Sequence, residues 1–510
     1  MFLDCVGCCM RELFGGSEEQ IDPFGSDDIS ETAKYDDQPD KIETDGFCGE
    51  FGVGDVFYSP ALSVLFATTL ESPDDVLQVN DRRLTWWEES SVVPKHDLLL
   101  MNPLTWAQSN DVPEDLAAVV GYDPSEQFVF ADSGGFQVKT FDDTCVVDSP
   151  DLHDFREMHI MPEKLLEWQV KNATAGAILD FPPYVVDANS GGTEGVAGMS
   201  MSQWEEEVWA PNVEQSVENA RRAAVHREKI GADDFLLYNV LHGMIPFGSH
   251  TSPDKYLKDW YARIDDVGDF DGWCVGVDSG NLGKFAMFLS FISENIDESH
   301  LHFLGSSAIP ARIVLEFWRV YNGDEYAITM DSTGFEVGSQ YRSFFNPLIH
   351  GSDVMVSSRD TKDDDKVPVD SQVTPCSCSV CAHMESEFGR RWAWDNEQTA
   401  REGVAMNMHN LNLLFSRHRM VQGLVESHGE RIVTEYREDD SQVNSAWKMF
   451  DKLFSDELCR EIFSCCRFIV EAEESGYENI LDNYWLASKF DPEHDGPLIE
   501  KKTESSFMEW

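Results

Sequence analysis

The chain has 510 residues, of which 94 are acidic and 38 are basic, so its formal net charge is −56. An apolar fraction of 42% and an aromatic fraction of 12% exclude general disorder, and the sequence contains no run of about 18 apolar residues that would predict a membrane span. Self-repulsion of this size destabilises a compact chain unless salt screens it, so we expect a molar-salt cytoplasm rather than an ordinary acidic protein with a charged tail.

The chain begins with an acidic segment and continues into alternating strands and helices. Residues 1–50 are rich in Asp, Glu, Ser and Gly, which predicts a flexible tail, and the first residues lack a signal-peptide layout, which favours a cytoplasmic protein. Within residues 51–345, the short apolar runs that indicate strands are DLLLMN, FVFADS, AGAILDF, DFLLYNVLHG, GWCVGVDS, HFLGSS and AITMDS. Amphipathic stretches typical of helices, such as PEKLLEWQVKNAT and PARIVLEFWRVYN, lie between most of them.

This alternation determines the predicted fold class. Repeated strand and helix indicate a parallel sheet, and runs that are apolar on both faces indicate that helices cover it. We therefore predict an α/β fold, with a (β/α)₈ TIM barrel at residues 51–345 whose eighth strand lies near the N-terminus. A doubly wound open sheet is the alternative.

Polar residues recur where the predicted strands end. They are Asp132, Asp180, His242, Asp278 and Asp331, each at the carboxyl end of a different strand. Any one of them could simply cap the helix that follows. Together they favour the barrel, because barrel active sites are built on the rim formed by these strand ends.

The part of the chain after the barrel contains a metal-ligand pattern. Cys376, Cys378 and Cys381 follow the spacing C-x-C-x-x-C, and His409 begins HNLNLLF on the next predicted helix. Three thiolates and one imidazole would fill a tetrahedral Zn²⁺ site and leave no open position, so we predict a structural zinc. The predicted zinc-binding subdomain with its closing helix spans 346–425, and a helical extension spans 426–510.

These motifs resemble the tRNA-guanine transglycosylases, and among them most closely the DNA 7-deazaguanine transglycosylases of the DpdA family. The most specific matches are DSGGFQ at 132–137, C-x-C-x-x-C at 376–381 and HNL at 409–411. Weaker matches are LDFPPY at 179–184, LHGM at 241–244, VGVDSG at 275–280 and DSTGF at 331–335. The resemblance covers roughly residues 95–415, and with the acidity it suggests a halophilic archaeon or its virus.

The resemblance implies base exchange, in which guanine leaves a nucleic acid and a free 7-deazaguanine of the preQ0 or preQ1 type is installed without cutting the backbone. Such exchange needs a carboxylate that forms a covalent glycosyl intermediate and a second carboxyl that moves a proton. The family pattern gives these roles to Asp331 as nucleophile and Asp132 as general acid and base.

The resemblance also implies a base pocket. Asp180 would accept hydrogen bonds from the guanine edge, and Phe136 and Leu304 would contact the faces of the base. The remaining predicted pocket residues are Ser133, Gln137, His242, Gly243 and Gly276. His242 and Asp278 depart from the pattern of the familiar tRNA enzymes, at positions where that pattern implies recognition of the 7-substituent. The two residues are either pocket residues peculiar to this chain or capping groups.

Two further features bear on whether the modified nucleic acid is DNA or tRNA. The segment DSTGFEVGSQYRSFFNP lacks the arginine-rich stretch of bacterial tRNA enzymes, and the C-terminus is acidic where archaeal tRNA enzymes add a basic module. Molar salt removes most of the counterion-release advantage of basic patches, so acidity argues only weakly against a nucleic acid. DNA is therefore the preferred substrate, tRNA the alternative, and a non-catalytic nucleic-acid-binding paralogue the rival class. The sequence leaves a homodimer open.

Overall fold

A computed structural model describes the chain at residues 56–62, 78–79, 82–103, 114–135, 162–183, 199–242, 253–276, 282–306, 308–322, 326–332, 378–388, 400–436 and 456–480. The predicted acidic tail at 1–50 lies outside these residues. Within the described part of the chain, no helix is both long enough and apolar enough to cross a membrane.

The chain divides into two compact units. One includes Thr68–Asp97 and Thr333–Arg419, and the other includes Gly52–Ala67, Leu98–Ser332 and Met420–Trp510. The predicted division, which assigned 51–345 to the barrel domain, stays a prediction. Thr68–Asp97 groups with the unit that carries the cysteines.

Eight parallel strands form the sheet of the larger unit. They are β1 (Val56–Pro60), β2 (Leu98–Met101), β3 (Phe128–Ala131), β4 (Ala175–Ala177), β5 (Leu236–His242), β6 (Gly272–Gly276), β7 (His300–Leu304) and β8 (Ala327–Ser332). Strands β2 to β8 pair in chain order, and β1 pairs with β8.

The sheet nearly closes into a barrel. Just beyond β1, Ala61 forms a parallel bridge with Leu100 of β2, and the Leu62 amide donates to the Leu100 carbonyl at 2.8 Å. The predicted α/β barrel is thus confirmed as a TIM-like fold. The seven predicted strands are β2 to β8, and the eighth is VFYSP, near the N-terminus as expected.

Helices alternate with the strands from β2 onward. They are α1 (Leu116–Val120), α2 (Pro162–Asn172), α3 (Ala210–Ile230), α4 (Pro253–Ile264), α5 (Leu282–Asn295) and α6 (Ile309–Asn322). Helix α3 continues a helical turn at Met201–Trp204 through a π-helical turn at Glu205–Trp209, and a 3₁₀ turn at Asp265–Val267 follows α4. Because these helices cover the sheet, β2 and β3 are buried at every position, as their uniformly apolar sequences predict.

A C-terminal helix of the same unit covers part of the barrel's outer layer. Helix α5 is buried from Leu282 to Ile292, and a helix at Asp456–Ser475 packs against both α5 and α6. A short helix at Tyr477–Ile480 follows, and the Tyr477 amide donates to the Glu294 carboxylate at 2.7 Å. This packing agrees with the mostly apolar sequence of α5, LGKFAMFLSFISEN.

The smaller unit contains a two-stranded antiparallel hairpin formed by Gln78–Val79 and Arg82–Arg83. It also contains α7 (Ser379–Phe388) and the first part of α8 (Ala400–Tyr436). The rings of His96 and Phe415 contact each other within this unit, with centroids 4.4 Å apart.

Candidate active site

Those polar residues predicted at the strand ends that the structure describes lie at one end of the barrel, because all its strands run parallel. Asp132 and Asp180 follow β3 and β4, His242 and Gly276 are the last residues of β5 and β6, Leu304 is the last residue of β7, and Asp331 is the penultimate residue of β8. Phe136, Gln137, Gly243, Asp278 and Cys376 lie outside the described residues.

The carboxyl groups of Asp180 and Asp331 affect the protonation of Asp132. Burial, followed by the negative charges of Asp180 and Asp331, raises the pKa of Asp132 from its ordinary 3.8 to about 7. Backbone amides of Ser133 and Gly134 hydrogen-bond to Asp132 and oppose this rise in its pKa. The amide Nδ2 of Asn102, at the end of β2, donates to Asp132 Oδ2 at 2.9 Å. Asp132 is therefore a carboxyl group that exchanges its proton near neutral pH.

A buried thiol is also affected by the same three charges. Burial, with a further contribution from Asp132, Asp180 and Asp331, raises the pKa of Cys274 well above its ordinary value. Cys274 is in the middle of β6 and is fully buried. The thiol therefore stays protonated and carries no charge.

Asp180 is buried and held at both carboxylate oxygens. Ser133 Oγ donates to Oδ1 at 2.9 Å, and His242 Nε2 lies 2.6 Å from Oδ2. The His242 ring packs edge-on against Trp260, and its Nδ1 faces Gly276, where a Cβ atom would lie only 2.5 Å away. Since a carboxylate has about four lone-pair sites, each Asp180 oxygen can still accept a further hydrogen bond.

The backbone around Asp180 is fixed by side chains from the helical region after β4. Donors from Asn219, Asn212 and Trp204 reach the carbonyl groups of Leu179, Pro182 and Pro183, and Ser216 Oγ accepts from the Phe181 amide, all at 2.8–3.0 Å. These contacts satisfy the polar groups of a buried loop. They also determine the direction in which the Asp180 carboxylate points.

The glycines of DSGGFQ have two separate roles. Gly134 has φ 73°, in the left-handed region that favours glycine. At Gly135 a Cβ atom would lie 1.7 Å from the Asp180 carbonyl oxygen, so a side chain there cannot be accommodated without moving backbone. The motif therefore brings the turn after β3 into direct contact with the loop after β4, and Ser133 Oγ reaches Asp180.

Asp331 is held by the neighbouring strand β7. Its Oδ1 atom accepts from the Gly305 amide at 2.8 Å and lies 3.5 Å from His302 Nε2. The side chain is almost fully buried. Among the described residues, no hydrogen bond to Oδ2 is seen, so this oxygen can accept one from a bound molecule.

A metal-ligand cluster lies in the smaller unit. Cys378, Cys381 and His409 are buried, and their ligand atoms all lie within 4.8 Å of one another. His409 Nδ1 is 3.4 Å from Cys378 Sγ and 3.3 Å from Cys381 Sγ. Sulfur and nitrogen ligands of a tetrahedral Zn²⁺ lie about 3.5 Å apart, given metal–ligand bonds of about 2.3 and 2.0 Å. The cluster can thus hold a metal ion that joins α7 to α8.

Several residues at the barrel site were not anticipated from the sequence. Asn102 contacts Asp132, His302 faces Asp331, and the polar residues on α3 hold the Asp180 loop. Asn102 ends its strand as the predicted acids end theirs, so the same signal could have found it. His302 lies inside an apolar strand, and nothing in HLHFL distinguishes its direction.

No protein-family model matches the chain, and no curated protein matches it. The site geometry and the sequence motifs are therefore the basis for any functional conclusion.

Proposed function

We propose that this protein is a transglycosylase that exchanges guanine in DNA for a free 7-deazaguanine base through a covalent aspartyl-glycosyl intermediate. The observation that carries this proposal is the cluster of three aspartates from separate strand ends, in which Asp132 has a pKa of about 7. Base exchange with retention at C1′ needs one ionised carboxylate and one carboxyl that can both give and take a proton.

In the first half-reaction Asp331 is the nucleophile. Its Oδ2 bonds to C1′ while the bond from C1′ to the guanine nitrogen breaks, and the electron pair stays with guanine. Asp132 gives its proton to the departing base, so guanine leaves neutral and Asp132 becomes ionised. Its raised pKa makes the carboxyl protonated in a substantial fraction of molecules at neutral pH.

The second half-reaction reverses these transfers. Ionised Asp132 takes the proton from the ring nitrogen of the incoming 7-deazaguanine, and that nitrogen bonds to C1′. The ester bond from C1′ to Asp331 breaks, and its electron pair returns to the carboxylate. Each catalytic group is then in its starting state, and no backbone phosphodiester has been cut.

Recognition of the base is assigned to Asp180 and its neighbours. The remaining lone pairs of its two oxygens match the ring N–H and exocyclic amine of a guanine edge. His242 and Ser133 hold this carboxylate, and Gly276 leaves room beside the imidazole. Leu304 and Phe136 are the proposed contacts to the base faces, with Gln137 and Gly243 completing the pocket. The target nucleotide must leave its stack to enter, at a cost of a few kcal/mol.

Zinc is proposed as the ion of the Cys378, Cys381 and His409 cluster, with Cys376 as the fourth ligand. A thiolate-rich set with one imidazole is typical of structural Zn²⁺, and four protein ligands leave no position for substrate. The ion would supply no chemistry to base exchange. It would stabilise the smaller unit by linking two helices that are distant in sequence.

The proposal is tested by exchange of radiolabelled guanine into duplex DNA and into tRNA in molar KCl. We expect incorporation into DNA, and incorporation only into tRNA would show that the enzyme acts on RNA instead. Incorporation into neither, by a folded protein with zinc bound, would leave the non-catalytic alternative. Asp331→Ala should form no denaturation-resistant adduct with DNA, whereas Asp123→Ala, at an exposed turn, should form it as the parent does. An adduct trapped with Asp331→Ala would place the nucleophile elsewhere.

A further inference from the structure

The barrel interior contains a histidine whose ring is fixed on two sides. His302 is in the middle of β7, and its side chain is fully buried. Its ring stacks on Phe130 of β3, with centroids 4.1 Å apart and planes 10° from parallel. Its Nδ1 lies 2.8 Å from Oγ1 of Thr329, the residue paired with it on β8. These contacts leave the ring almost no freedom to rotate.

The contacts of Thr329 and Asp331 together indicate which ring nitrogen of His302 carries the hydrogen. A threonine hydroxyl has one hydrogen, and the two acceptors near it are His302 Nδ1 at 2.8 Å and the Leu301 carbonyl at 3.5 Å. The shorter contact is ideal for a hydrogen bond, whereas the longer one is at the limit. Because a carboxylate oxygen of Asp331 faces Nε2, we infer the tautomer in which Nε2 carries the hydrogen and Nδ1 accepts from Thr329.

That Nε2 is directed at the carboxylate of Asp331. It lies 3.5 Å from Oδ1 and makes no hydrogen bond, although it is completely buried. A buried N–H without an acceptor is costly. Hydrogen bonds at active sites are often long in the free enzyme and tighten when substrate binds. The Gly305 amide donates to the same Oδ1 atom, so the two donors converge on one oxygen and leave Oδ2 for bonding.

We propose that His302 is a positioning residue that donates from Nε2 to Asp331 Oδ1, and so keeps this carboxylate ionised and oriented with Oδ2 toward the sugar. The proposal rests on the proposed function in that it takes Asp331 as the nucleophile. The geometry supports this role, because two donors converge on Oδ1 from β7 and the turn that follows it. A hydrogen bond to a carboxylate favours its charged form and fixes the direction of the other oxygen.

Other titratable groups around the ring are accounted for. Within the described residues, the titratable side chain of β8 that contacts the His302 ring is Asp331. On β6 the residue paired with His302 is Cys274, whose raised pKa keeps it uncharged. From β3, Phe130 presents an uncharged ring, and Asp132 follows at the strand end. The interaction to be tested is therefore the one with Asp331.

Two amide substitutions distinguish the role of Nε2 from that of Nδ1 in His302. His302→Gln can place an N–H near the Nε2 position, whereas His302→Asn reaches only the Nδ1 position. His300→Asn is the matched control, because His300 is also buried in β7 but stacks on Tyr238. We expect the acid limb of the pH profile for adduct formation to move up by roughly one to two pH units in His302→Asn. It should stay near the parent position in His302→Gln and in His300→Asn.

A second measurement does not depend on base exchange. With ¹³C-labelled aspartate, and with Asp331→Asn to assign the resonance, the midpoint of the Asp331 carboxyl titration should be higher in His302→Asn than in the parent by roughly one to two pH units. Thr329→Val removes the hydroxyl that donates to Nδ1 and should raise the midpoint as well, whereas Thr329→Ser should not. These threonine variants keep the test available if His302→Asn does not fold.

The combined results distinguish a failure of the positioning role of His302 from a failure of the proposed function. Midpoints unchanged in both His302→Asn and Thr329→Val would overturn the positioning role, whatever the activity. If the midpoints shift but no protein, including the parent, forms an adduct, His302 acts on Asp331 as inferred and the proposed function fails. If adduct forms with an unchanged pH profile in His302→Asn, the proposed function stands and the positioning role is wrong.

Discussion

Replacing Asp132 by asparagine should stabilise the protein as the pH rises. The folded state raises the pKa of this carboxyl from 3.8 to about 7, so it binds the proton more tightly than the unfolded chain does. Its contribution to stability is therefore fully present below pH 3.8 and is lost as the pH rises through about 7. Asparagine cannot ionise, so the Asp132→Asn protein avoids this loss.

The size of the effect follows from the shift in pKa. A shift of about three pH units corresponds to up to about 4 kcal/mol between strongly acid and alkaline pH, at 1.36 kcal/mol per unit. Between pH 5 and pH 8.5 the accessible part is about 2 to 3 kcal/mol. Hydrogen bonds that asparagine makes or loses with Asn102 do not depend on pH, so they cancel when the difference between variant and parent is compared across pH.

The assay is denaturant unfolding of parent and Asp132→Asn at a series of pH values in molar KCl. The free energy of unfolding of the variant, relative to the parent, should increase with pH while base exchange is lost. Asp233→Asn, which removes one negative charge from an exposed loop, shows how much of the change is due to net charge alone. If the difference in free energy of unfolding between Asp132→Asn and parent is flat, or decreases with pH, the folded state does not raise the pKa of Asp132, and the proton-transfer role loses its basis.

The remaining predictions concern glycines and the metal cluster. Gly135→Ala should lower the melting temperature and abolish adduct formation, because its Cβ would meet the Asp180 carbonyl oxygen at 1.7 Å. The control is Gly423→Ala, which lies in a helix with open space around the added atom and should stabilise the protein by about 0.5 to 1 kcal/mol. Equal melting temperatures for the two variants would contradict the contact between the two loops. Cys378→Ser should lose bound zinc, measured by elemental analysis, and melt at a lower temperature than the parent. Full zinc content and an unchanged melting temperature in this variant would exclude a structural metal.

Much of the fold could be predicted because its signals are local. The runs LLLM and FVFA are apolar on both faces, and this pattern alone indicates strands of a covered parallel sheet. The spacing of Cys378 and Cys381 within one turn, with His409 on the next helix, indicated the metal cluster. The acids at the strand ends were also visible, since a strand ends where an apolar run meets a carboxylate and a turn.

The tertiary structure decided what depends on residues far apart in the chain. The pKa of Asp132 is set by burial and by charges at the ends of two other strands, and the space at Gly135 is taken by a carbonyl of the next loop. The direction of His302 is fixed by the Phe130 ring and the Thr329 hydroxyl, which lie on other strands. The grouping of Thr68–Asp97 with the cysteine-bearing unit is likewise invisible in the sequence. Periodicity and turn chemistry act between near neighbours, so a sequence displays them directly. Desolvation, Coulomb interactions and close packing act through space, and they take their values only when the barrel brings distant strands together.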